Sequence, residues 1–133
     1  MSDARYSFAP PRPLSERERH VTRWIIENGD APAEEKETLL AQLAEAKIAG
    51  RCSCGCASVD FSIGGVVPSQ KDGLRIVGDF ISNDRDGDSN GLFVFSCEGL
   101  LAGLEIYQLG SEKIPTELPE PENLTPFEPN KTA

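Results

Sequence analysis

Histidine is almost missing from this chain: His20 is the only one in 133 residues. That removes the usual general base, and with it most Ser–His and Cys–His catalytic pairs. Basic stretches are missing too. Lys and Arg total 13 against 22 Asp and Glu, a formal net charge of −9. Such an excess repels a phosphate backbone and argues against nucleic acid. An anionic membrane surface is disfavoured on the same ground. No apolar run approaches the length of a membrane span, and residues 1–13 hold no stretch of the kind a secretory signal needs. The expectation is a cytoplasmic protein whose thiols stay reduced.

What is present fits one globular domain. Hydrophobic residues make up 38% and charged residues 26%, enough for a real core but not for a core plus a two-domain cleft. Three segments follow from composition: a Pro-rich N-terminal arm over 1–13, an α+β domain over 14–110, and an acidic, Pro-rich C-terminal tail over 111–133. In the middle segment Ser15 followed by Glu18 is a capping box and opens a helix. Val21, Trp24 and Ile25 lie on its apolar face, with Asn28 beside them, and Gly29 closes it in a C′ position. A second helix starts near Pro32, carries Leu39, Leu40, Leu43, Ala44 and Ala46, and ends at Gly50. The short loop between them predicts an antiparallel helical hairpin.

After Gly50 the apolar period falls to two. Val59, Phe61 and Ile63 mark one strand. Leu74, Ile76, Gly78 and Phe80 form one face of the next. Leu92–Cys97 and Leu100–Leu109 make two more, joined by the two-residue hairpin connection Glu98-Gly99. The fold expected is therefore α+β: a helical hairpin packed on an antiparallel meander of about four strands. The tail's prolines forbid a sheet ladder, and Leu118, Leu124 and Phe127 are the groups that would anchor it to the surface.

Two strings carry ligand chemistry. The first is Arg51-Cys52-Ser53-Cys54-Gly55-Cys56. In an extended segment residues i, i+2 and i+4 share a face, so Cys52, Cys54 and Cys56 would converge, with Cys97 as a fourth sulfur from a neighbouring strand. Four thiolates suit tetrahedral zinc. The spacing departs from the paired knuckles of common zinc sites, and small half-buried thiols at a helix-to-sheet junction are the plainer reading. Apart from zinc no cofactor is expected. The second string surrounds Asp86, Asp88 and Asn90, which with Gly91 match the front half of an EF-hand loop and make a calcium candidate. The position that should hold the bidentate glutamate is Cys97, and a polar hairpin loop uses the same residues.

No catalytic triad assembles, and Gly64-Gly65 lacks the lysine and helix of a phosphate loop. Asp60, Asp79 and Glu105 fall within strands, where carboxylates on an open sheet face would do acid/base work or simply face solvent. With no such constellation an enzyme is the less favoured reading, left open by the strand carboxylates.

The strings Gly50-x-Cys52-x-Cys54-Gly55-Cys56-x-Ser58-Val59-Asp60-Phe61 and Gly99-Leu100-Leu101-Ala102-Gly103-Leu104-Glu105-Ile106-Tyr107, with the Arg12-Pro13-Leu14-Ser15 helix start, resemble those of a small uncharacterised bacterial family. Some of its members neighbour polymorphic-toxin genes. The resemblance covers roughly residues 12–110 and implies an immunity role, in which an acidic domain masks a basic toxin. Three functions thus stand in order: a protein-interaction domain of immunity type with a basic partner, a small zinc domain using the cysteine cluster, and a small enzyme using sheet-face carboxylates. A flat apolar outer sheet face would also allow a homodimer.

Overall fold

A computed structural model describes residues 5–68, 73–83, 89–109 and 113–126. The α+β class holds, but among the described residues the sheet has seven strands where the sequence suggested about four. In chain order these are β1 (Arg5–Pro13), helices α1 (Glu16–Asn28) and α2 (Ala33–Leu43), β2 (Ala46–Cys52), β3 (Val59–Ile63), β4 (Leu74–Asn83), β5 (Ser89–Cys97), β6 (Leu100–Leu109), a 3-10 turn over Pro121–Asn123 and β7 (Leu124–Pro126). Every strand pairing is antiparallel. The spatial order is β1-β2-β3-β6-β5-β4-β7. It is therefore not a simple meander. β4, β5 and β6 are consecutive hairpin neighbours, and β6 returns to lie beside β3, a Greek-key connection.

The three extra strands have clear physical origins. β1 and β7 are the two sheet edges. A proline that cannot donate to a ladder is tolerated at an edge, so Pro10, Pro11 and Pro13 do not stop β1, and Pro126 does not stop β7. The β1–β2 register shifts between Ser7 and Arg12, around the proline pair. β2 is the larger correction. The helical stripe was expected to run through Ala44 and Ala46, but α2 ends at Leu43, and Ala46–Cys52 pairs with β1 on one side and β3 on the other. Partners on both sides outweigh the helix preference of Ala and Lys.

The capping box forms in full. The Glu18 N–H donates to Ser15 Oγ at 3.1 Å and the Ser15 N–H to Glu18 Oε1 at 2.8 Å. Glu18 also takes both terminal nitrogens of Arg12, at 3.0 and 2.9 Å, tying the end of β1 to the start of α1. Gly29 ends α1 in extended, not left-handed, conformation (φ −78°). Its use is packing: its Cα abuts Gly78 of β4, where an added Cβ would sit 2.8 Å from the Ile25 carbonyl oxygen. α2 is held by Arg75, whose guanidinium reaches Glu35 at 2.7 and 2.9 Å. Gln42 clasps the β5–β6 hairpin through the Gly99 carbonyl and the Leu101 N–H. That hairpin turns on Glu98 and Gly99 alone, both at positive φ (52° and 85°), as a two-residue type I′ connection requires.

Both helices cover one sheet face. Val21, Ile25, Ile26, Leu39 and Leu43 meet Ile48, Val59, Phe61, Val77, Phe80, Leu92, Val94, Leu101, Leu104 and Ile106 in one core. A register shift between Ile76 and Gly78 turns Val77 and Phe80 inward and leaves Leu74 and Ile76 exposed. This corrects the expectation that Leu74, Ile76 and Phe80 share a face. Phe95, Cys97 and Ala102, with Phe93 against them, form a second cluster, on the opposite face by strand alternation with Val94. Leu118 and Leu124 of the tail are buried, as expected of anchors; Phe127 lies outside the described residues. No described helix is long and apolar enough to cross a membrane.

Candidate metal centre

The cysteine string forms the loop of the β2–β3 hairpin. Cys52 is the last residue of β2 and Val59 the first of β3, and Arg51 pairs with Val59 across the ladder. The three thiols converge through a turn, not through an extended strand. The Gly55 N–H donates to the Cys52 carbonyl at 3.4 Å, and Gly55 itself has φ +93°, a backbone state that side chains rarely adopt. The fold-back brings the Cys52 thiol to 3.0 Å from Cys54 Sγ, and the Cys56 N–H donates to the same sulfur at 3.3 Å. All three Sγ atoms lie within 4.8 Å of one another.

The loop is pinned from both sides. Ser58 Oγ donates to the Ile106 carbonyl at 3.2 Å and accepts the Ile106 N–H at 2.9 Å, which fixes it to β6. The Ala57 N–H donates to the Pro115 carbonyl at 2.9 Å, which fixes it to the tail. The thiols are not equivalent. Burial pushes Cys56 up, but its interactions with the Ser58 side chain and backbone, and with Cys54 and Cys52, outweigh it and leave that thiol below its ordinary value. Cys54 is pushed up to about 11, chiefly by its hydrogen bond with Cys52. The three cysteines form one hydrogen-bonded group around Cys54 Sγ, with thiol protons on it. A thiophilic cation would replace those protons and attract all three sulfurs at once.

The separations suit such an ion. Tetrahedral bonds near 2.3 Å place sulfurs about 3.8 Å apart. The Cys52–Cys54 pair is shorter than this at 3.0 Å, and the group as a whole spans no more than 4.8 Å. Adjustments below about 1 Å on an exposed loop close both gaps.

Cys97 does not join the group. It is buried at the end of β5, opposite Leu100 of β6, whereas the cysteine loop is anchored at Ile106. Six residues along β6 separate the two places, on the order of 20 Å. The expected fourth sulfur is therefore not part of the group. Of the calcium candidates, Asp86 and Asp88 lie outside the described residues. Asn90 sits within β5, paired with Ser82 and Gln108. His20 is exposed on α1.

The strand carboxylates do gather on the face away from the helices. Asp79, Phe93 and Glu105 form one cross-strand row, and Asp60 lies opposite Gly103. Burial pushes the Asp79 carboxyl up, and its Oδ1 is buried without a hydrogen-bond partner among the described residues. Burial and the Asp79 charge together push the Tyr107 hydroxyl up.

One feature escaped the sequence reading. A cavity of about 420 Å³ opens beside the cysteine loop, with Cys56 and three arginines, Arg12, Arg17 and Arg51, in its walls. None of Asp60, Asp79 and Glu105 lines it. Only Arg51, adjacent to Cys52, hinted at this from the sequence, because Arg12 and Arg17 arrive from β1 and α1. No family model, curated protein or solved structure matches the chain.

Proposed function

We propose that this chain is a small zinc-binding domain in which Cys52, Cys54 and Cys56 hold the ion as thiolates. The observation that supports it is the convergence of three sulfurs within 4.8 Å on a hairpin loop. Thiolates select soft or borderline ions, and zinc accepts three protein ligands plus one exchangeable ligand. The ion would staple the β2–β3 loop and present its open position at the surface, since Cys54 is exposed. A reducing compartment such as the cytoplasm keeps the thiols available. The direct test replaces zinc with cobalt(II), whose thiolate complexes absorb in the near ultraviolet. A saturable band at one equivalent, lost in the C52S/C54S/C56S variant and retained in C97S, is expected. A spectrum unchanged by cobalt overturns the reading.

A second reading keeps the protein-interaction domain of immunity type. It draws on the net charge of −9 and on the exposed apolar side chains Val66, Val67, Leu74 and Ile76. A basic partner held by that charge dissociates as salt rises; salt-insensitive binding would count against it.

A further inference from the structure

We infer that the cavity beside the cysteine loop is a binding site for a small oxyanion-bearing molecule, a carboxylate or a phosphate monoester, held by the guanidinium groups of Arg12, Arg17 and Arg51. The chain is acidic overall, with 22 acidic side chains against 13 basic ones. In this cavity the balance reverses: three arginines face Glu18 and Glu117. Arg12 and Glu18 neutralise one another, so the positive excess in the lining rests on Arg17 and Arg51 against Glu117, with Glu120 bonded to Arg17 from outside it.

The arginines arrive from three separate elements, β1, α1 and β2. Arg12 is oriented by Glu18 and by the Pro13 carbonyl at 2.9 Å. Arg17 donates from Nη1 to the Leu118 carbonyl at 2.9 Å and from Nη2 to Glu120 at 3.2 Å. A guanidinium has five N–H donors, so those two bonds leave Arg17 with donor capacity while fixing its plane. Planar forks held this way match carboxylate and phosphate oxygens in bidentate fashion.

Part of the wall comes from Thr116–Leu118 of the tail, held by the Arg17 bond to Leu118 and the Ala57 bond to Pro115. A volume of about 420 Å³ lies in the range of small-molecule sites. A polyanion is excluded by the charge of the whole chain, whereas a small anion meets only the local field. Cys56 borders the same cavity, so the anion would sit beside the sulfur loop without requiring a metal there.

The test uses the full chain, with inorganic phosphate and succinate as separate probes in low-salt buffer, followed by amide chemical shifts. Saturable shifts confined to residues around Cys56–Ser58 and Thr116–Leu118 are expected with at least one probe, and which probe binds distinguishes phosphate from carboxylate ligands. R51Q and R17Q should each weaken binding by roughly tenfold, the loss of one charge-assisted bond. R51Q keeps the test valid if R17Q loosens the tail. Binding should persist in C52S/C54S/C56S, which separates this site from the zinc reading. No saturable shift with either probe, equal binding in R51Q and R17Q, or loss of binding in the triple serine variant would each overturn the assignment.

Discussion

Replacing Glu18 by Gln should destabilise the fold by about 2 kcal/mol, more than an ordinary surface change. Glu18 is the third residue of α1 and has 12% of its side chain exposed, against 40% for its partner Arg12. Gln retains the shape and still accepts the Ser15 N–H, so the helix cap is weakened, not deleted; full loss of such a cap costs roughly 1 kcal/mol. The larger part is the two-pronged ion pair. An exposed pair contributes about 0–1 kcal/mol and a fully buried pair broken on one side costs about 3–5. With Arg12 partly solvated, an intermediate figure near 2 kcal/mol follows. For a chain of this length that lowers Tm by roughly 6–10 °C. Trp24, the single tryptophan, packs edge-on against Phe80 at 4.9 Å and reports unfolding by fluorescence in urea. The pH dependence supplies a second check. Burial alone would raise the Glu18 carboxyl, but Arg12 and Ser15 outweigh it and hold it below its ordinary value. A depressed carboxylate stabilises the fold fully above its unfolded value and loses that contribution as pH falls through the folded value. The gap between wild type and E18Q should therefore be widest near neutral pH and narrow towards about pH 3. Equal midpoints near neutrality, or a gap that persists in acid, would refute this argument.

Three further outcomes follow from named contacts. G78A should destabilise by about 1–3 kcal/mol in the same urea assay, because its Cβ meets the backbone of Ile25 and cannot be relieved by a rotamer change. E98N should raise stability by roughly 0.5 kcal/mol, since Glu98 occupies a positive φ of 52° that asparagine adopts more readily; a loss of stability would contradict the turn assignment. With metal removed, limited alkylation near pH 8 and peptide mass mapping should label Cys56 before Cys54, because one thiol is held down and the other pushed up to about 11. Cys97, 1% exposed, should be labelled last.

The helix start, β3, β6 and the Glu98-Gly99 hairpin were legible because each is written locally: a capping box, a period-two stripe, a two-residue turn. β1, β2 and β7 were not. Their residues carry prolines or helix formers, and only the neighbours they meet in space make them strands. The same division runs through the site. That Cys52, Cys54 and Cys56 converge was legible from their spacing, although the agent is the turn at Gly55 and not strand alternation. That Cys97 stands apart was hidden, because its distance depends on β6 returning beside β3. The three arginines were hidden for the same reason, since one cavity collects them from β1, α1 and β2.

The central claim, a site of three thiolates with one open position, is tested most directly by X-ray absorption at the zinc edge of the zinc-loaded chain. The account predicts three sulfur neighbours near 2.3 Å and one lighter oxygen or nitrogen neighbour, with the sulfur count unchanged in C97S. Four sulfurs, or a first coordination sphere without sulfur, would contradict it.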